Sequence, residues 1–146
     1  MKLISIALLA ATLLAGCSPK EKETGQQNLE IVKSMLEAFN RHDWKGMAEH
    51  YADSARFLDP SLGTEYVYQR HEQIMAKYGE MGNRFPDLQD EVVGMYSSGD
   101  KVIVELVSTG TATTDKGELI SFRLPISAVL TLHDGKIVSD ATYYDN

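Results

Sequence analysis

The chain has 146 residues, 43% of them hydrophobic and 24% charged, with a formal charge of −7. One domain is the expectation at this length, and scattered charges of both signs describe a globular chain, not a disordered one. The acidic balance argues against nucleic acid as a partner, because binding phosphates demands positive charge.

The N-terminus has the layout of an export signal. Lys2 is a short basic region, "LISIALLAATLL" (Leu3 to Leu14) is apolar, and "LAGC" places small residues before Cys17. The apolar run is too short for a membrane span of about 20 residues. The cysteine at the cleavage point resembles the bacterial lipoprotein lipobox. That resemblance implies cleavage after Gly16, so that residues 1–16 are the signal peptide, and a diacylglyceryl thioether on Cys17. The alternative is an ordinary signal peptide with an incidental cysteine. Two or more acyl chains, palmitate among them, anchor stably at about 0.8 kcal/mol per CH₂. Cys17 is the only cysteine, so once lipidated it leaves no disulfide and no thiolate metal site.

Residues 17–27 then read as the lipidated cysteine and a flexible tether, "SPKEKETGQQ", that spans on the order of 35 Å when extended. Ser18 is not the aspartate that marks inner-membrane retention in some bacteria. The expected location is the bacterial cell envelope, at the outer membrane or cell surface. Residues 28–146 are the folded domain.

Leu29, Val32, Leu36 and Phe39 recur at helical spacing and predict a helix over Gln27 to Asn40. Asp43 is a good N-cap for a short helix from Trp44 to Tyr51. "SARFLD" alternates and predicts a strand. Thr64 caps a third helical segment, in which His71, Ile74, Met75, Tyr78 and Met81 share a face; Pro86 ends it. After Leu88 the pattern is β. "DEVVGMYSS" and "KVIVELVSTGTAT" flank a hairpin turn at "SGD", and "ELISFRLPISAVLTLH" and "KIVSDATYY" flank one at "DG". Helices first and a meander of strands last make an α+β domain.

This order resembles the nuclear transport factor 2-like superfamily, which includes ketosteroid isomerase and the SnoaL-like polyketide cyclases. The resemblance rests on "HDWKGMAEHYADSARFLDPSLG", "FPDL", a hairpin at Gly110 and "HDGKIVSDATYYD", and covers about Leu29 to Asp145. It implies a cone-shaped fold, with about three N-terminal helices packed on a curved, mostly antiparallel sheet around an apolar pocket. It also implies a role for Asp59: in ketosteroid isomerase the proton-shuttling base is an aspartate directly before a proline. The oxyanion donors of that enzyme are a tyrosine and a protonated aspartate. Their positions fall here on Met35, which cannot donate, and Ser127, a weaker donor than a carboxyl. Losing one such donor costs about 10²–10³ in rate, so steroid isomerisation by that route is not expected.

If the family register holds, Asp140, Thr142 and Tyr144 face the pocket from the last strand and Ser127 from the one before. Tyr51, Phe57 and Tyr78 complete the expected binding residues. Asp59 with Asp140, plus tyrosine hydroxyls, would suit acid–base work on a small carbonyl or polycyclic substrate; Asp59 also reads as an Asx turn that ends a strand before Pro60. Asp87 reads as a turn or cap. Arg123 reads as an anion site or as half of an ion pair. The four histidines show no metal-ligand spacing, and no metal or cofactor is expected.

Phe122, Leu124, Ile126, Ala128, Leu130 and Leu132 share one parity of a long strand. Read as an outer face, they predict a homodimer through the sheet, unless Pro125 marks a bulge that swaps parity. Three functions follow in order. The first is a lipid-anchored domain that binds a small apolar molecule without turning it over. The second is an isomerase, cyclase or hydrolase using Asp59, and the third is a protein-interaction module.

Overall fold

Helical periodicity in the first half and alternation in the second resolve into three helices laid across one curved sheet. The structure is a computed structural model that describes residues 19–145; the signal-peptide and Cys17 expectations lie outside those residues. In chain order the elements are α1 (Pro19–Asn40), α2 (Trp44–Ala48), β1 (Tyr51–Leu58), a 3₁₀ turn (Pro60–Leu62), β2 (Val67–Gln69), α3 (His71–Arg84), β3 (Gln89–Ser98), β4 (Lys101–Thr113), β5 (Leu119–His133) and β6 (Lys136–Tyr143). The six strands lie in the order β2-β1-β6-β5-β4-β3. β1 and β6 run parallel and every other pair is antiparallel. This is the expected α+β cone.

Three boundaries differ from the sequence reading. The stretch read as a flexible tether is helical from Pro19 onward. Its Lys, Glu and Gln residues are good helix formers, and proline is tolerated in a first turn. Tertiary contacts add to this. Gly25 is buried so closely against Ser97 that a Cβ would lie 2.8 Å from its Oγ, and Asn28 donates to the Gly99 carbonyl. The second helix stops at Ala48, and Tyr51 opens β1. Asp43 does cap α2, accepting from Gly46 N at 2.9 Å. Thr64 caps nothing; β2 intervenes, and α3 starts after Arg70, whose N–H donates to Gln73 Oε1.

The hairpin turns at "SGD" and "DG" sit where expected. Asp134 (φ 47°) and Gly135 (φ 75°) both adopt positive φ, as a two-residue turn between antiparallel strands requires. β4 and β5 pair without interruption from Lys101↔Thr131 to Thr113↔Leu119, so Pro125 makes no bulge in that ladder.

One face was assigned backwards. Phe122, Leu124, Ile126, Ala128 and Leu130 point into the cone, not out of it. Ser127 has the opposite parity and pairs with Glu105 and Tyr143, both exposed. The physical reason is area: the face that offers the larger continuous apolar surface is the one the helices cover. The homodimer through an apolar outer sheet therefore loses the observation it rested on. Inside the cone, Val32, Met35, Leu36 and Phe39 of α1 and Ile74 of α3 pack on Val102, Val104, Leu130 and Ile137.

Candidate functional site

The helices do not fill the cone. A cavity of about 190 Å³ remains between α1, α3 and the inner face of the sheet. Apolar cavities of roughly 150 Å³ hold a benzene ring, so there is room here for a small cyclic molecule. Most of the wall is apolar, with Phe39, Phe85, Phe122, Leu124 and Met81 among the lining residues. Phe85 and Phe122 meet edge to face over Gly110, where a Cβ would lie 2.7 Å from the Phe122 ring.

Three carboxyl groups line this wall: Asp59, Asp90 and Asp140. Asp59 does two jobs at once. It caps the 3₁₀ turn, its Oδ1 accepting from Ser61 N (2.8 Å) and Ser61 Oγ (2.7 Å), which is the Asx-turn reading. The same oxygen accepts from Tyr144 Oη at 2.8 Å, while Oδ2 forms an ion pair with Lys77. Three donors converge on Oδ1, and the Lys77 ammonium holds Oδ2. Burial opposes ionisation of Asp59, but the Lys77 ammonium and the hydrogen bonds from Lys77, Ser61 and Tyr144 outweigh it and hold the carboxyl below its usual range. An ion-paired carboxylate of lowered pKa is a weak base and a poor proton acceptor.

Asp140 is the reverse. It is 5% exposed. Its Oδ2 accepts from Tyr51 Oη at 2.7 Å and its Oδ1 from Thr142 Oγ1 at 3.0 Å. Burial raises its pKa, and the Tyr51 and Thr142 hydrogen bonds and the Lys77 charge only partly offset this. Tyr51 is itself pushed well above the ordinary phenol value by burial and by Asp140, so the shared proton stays on the tyrosine. Replacing Tyr51 with phenylalanine keeps its ring on Phe57 and removes one donor that favours the Asp140 anion. The expected outcome is a further rise of the Asp140 pKa, read from the pH titration of its carboxyl carbon by NMR; an unchanged titration would contradict the assignment.

Tyr78 enters from α3 and lies edge to face against Phe39. Burial and the charges of Asp140, Asp59 and Asp90 all raise its pKa. Its hydroxyl therefore remains a proton donor at neutral pH. The donor missing at Met35 is met in part from elsewhere in the cavity, by Tyr78; the Tyr51 hydroxyl lies 3.9 Å from Met35 Sδ but its proton is given to Asp140.

Of the expected site residues, Asp59, Asp140, Tyr51, Tyr78, Thr142 and Tyr144 line one cavity. Phe57 and Ser127 do not. Phe57 is buried behind the wall, stacked on Tyr51 at 5.2 Å and paired with Asp140 across the β1–β6 ladder. Asp87 serves β4 by accepting from Thr111 N, and Arg123 has the outward parity of β5. The histidines contact backbone carbonyls, His42 at Leu88, His50 at Gly46 and His71 at Tyr51, except His133, which pairs with Asp134.

Lys77, Asp90 and Ser108 were not foreseen. Two of them carried a signal: Lys77 sits between Ile74 and Met81 on the apolar stripe of α3, and Asp90 of β3 shares the parity of Leu88, the buried residue just before that strand, so both are charged residues at inward positions.

An open cone with carboxyl and tyrosine groups on its inner wall defines the nuclear transport factor 2-like class. Within it the chain belongs to the SnoaL-like domain family, which residues 32–140 match. No curated protein matches the chain in sequence. Among solved structures it is similar to wild-type IdmH, a proposed polyketide cyclase of Streptomyces antibioticus (TM-score 0.70, 24% identity, covering 82% of this chain and 93% of that one). It is similar also to a proposed SnoaL-like polyketide cyclase of Shewanella putrefaciens (0.70, 16%, 82% and 90%). A third is a protein of ketosteroid isomerase-like fold from Catenulispora acidiphila in complex with trimethylamine (0.68, 22%, 80% and 85%). At these identities the likeness is one of fold.

Proposed function

We propose that this domain takes a small, mostly apolar carbonyl compound into its cone, and that Asp140 moves a proton on it. The observation that carries the reading is the Asp140 carboxyl: buried, held by Tyr51 and Thr142, facing the cavity, with its pKa raised. A carboxyl with these properties is a better base, when ionised, than an ordinary aspartate. It would take the proton α to the carbonyl, and the Tyr78 hydroxyl would donate to the enolate oxygen that forms. Return of the proton at another carbon is an isomerisation; attack of the carbanion on a second carbonyl is a ring closure. The role first assigned to Asp59 passes to Asp140, and Asp59 becomes the group that positions Tyr144.

The ion-paired, weakly basic state of Asp59 favours a second reading, a carrier that binds without turnover. Deuterium exchange into the α-positions of β-tetralone, a two-ring ketone, separates the two. An acid–base enzyme accelerates exchange above the buffer rate; a carrier binds the ketone and leaves its exchange unchanged. An interaction module has less support, because its cone should be filled.

The same proposal places the domain at a bacterial membrane through lipid on Cys17. With α1 helical from Pro19, the domain would sit closer to the bilayer than a flexible tether allows. Cys17→Ala should leave the membrane fraction and lose incorporation of labelled palmitate; membrane retention of that variant would remove the lipid as anchor.

A further inference from the structure

The third carboxyl, Asp90, takes no part in the chemistry proposed for Asp140. Its backbone is fixed from both sides. Asn40, the last residue of α1, donates from Nδ2 to the Asp90 carbonyl (2.9 Å) and accepts the Asp90 N–H at Oδ1 (2.8 Å). On the sheet side Asp90 pairs with Ser108 of β4. Both side chains line the cavity, with Ser108 beside Asp90 in the strand ladder. One carboxyl oxygen, Oδ1, is buried and has no hydrogen-bond partner in the protein.

Nothing cationic compensates it. Among the described residues no lysine, arginine or histidine forms an ion pair with Asp90. Lys77 is committed to Asp59, and Arg84 lies over the Phe85 ring. The same cavity presents the rings of Phe39, Tyr78 and Phe85, whose faces attract a cation.

Asp90 is also separate from Asp140 along the sheet. Asp140 stands opposite Leu130 of β5, whereas Asp90, through Ser108, stands at the level of Leu124. Curvature brings both around Tyr78, which feels the charge of each.

We infer that Asp90 and Ser108 form a second polar subsite of this cavity, one that takes the protonated amine of the bound molecule. An ammonium at the cavity face of this carboxylate balances its charge and packs against aromatic rings; a hydroxyl brings no charge. The inference rests on the reading of the cone as a small-molecule site and names the chemistry of the ligand's second polar group.

Naphthylmethylamine and naphthylmethanol differ only in that group. Calorimetry with the full chain should find the amine bound ~10-fold or more tightly than the alcohol, about 1.4 kcal/mol. The preference should vanish in Asp90→Asn, with affinity for the alcohol unchanged as the control for an intact cavity. Asp90→Ser is measured alongside, so that a folding defect in one variant does not decide the result. Equal affinity of the native protein for both probes overturns the amine subsite while the cone remains a binding site. So does a preference that survives in the Asp90 variants. Failure of both probes to bind the native protein overturns the small-molecule reading itself, and this subsite with it.

Discussion

Asp140→Asn is expected to slow α-proton exchange of β-tetralone by about 10²- to 10⁴-fold, the usual worth of a positioned acid–base group. Affinity for the ketone should change little. Asparagine keeps an acceptor for Tyr51, and the Thr142 hydroxyl can turn to accept from the new amide, so the wall of the cavity is preserved. The native rate should rise with pH as Asp140 ionises. Because burial raises that carboxyl's pKa, the rise should fall above the ordinary aspartate range, and Tyr51→Phe should move it higher still.

Stability supplies an independent reading of the same group. A folded pKa above the unfolded value of about 3.9 means that the Asp140 contribution is fully present below that value. It is lost as pH rises through the folded pKa. Asp140→Asn should therefore gain on the native protein as pH rises over that window. A native-like exchange rate in Asp140→Asn would remove Asp140 as the base.

Asp59→Ala should lose about 3 kcal/mol of stability in denaturant unfolding at neutral pH, because it leaves Lys77 without its partner in a largely buried setting. The side chains of Lys77 and Asp59 are only 14% and 10% exposed. The alanine also releases Ser61 and Tyr144, which share Oδ1. Asp59→Asn combined with Lys77→Met should recover most of the loss, since Asn keeps the cap and Met fills the space of the lysine stem.

The pH dependence runs opposite to that of Asp140. The Asp59 pKa is lowered in the folded protein, so its stabilisation is present above the unfolded carboxyl value and lost as pH falls through the folded one. The gap between native and Asp59→Ala should thus close in acid. An alanine variant as stable as the native protein at neutral pH would show that the pair does not hold this corner of the cone.

Much of the fold was legible because its signals are local. Helical spacing over Leu29 to Phe39, the Asp43 cap and the Asp134–Gly135 turn each follow from neighbouring residues, and all three are present. The family resemblance supplied much of the site, since its register put Asp140, Thr142 and Tyr144 toward the pocket, and all three line the cavity. What failed needed the partner. Alternation on β5 showed that Phe122 to Leu132 share a face, but not that the helices cover that face. Composition made Lys22 to Gln27 polar, but not that Gly25 and Asn28 would pack on the β3–β4 hairpin.

Asp59 shows the division most clearly. The Asp-Pro step by itself determined the turn, because an aspartate before proline can cap the next residues wherever it occurs. That this carboxyl is an ion-paired strut was decided by Lys77, 18 residues away on α3, and by Tyr144, 85 residues away past the end of β6. The acid–base candidate then fell to Asp140, because desolvation depends on everything packed around a group, and no short stretch of chain contains that information.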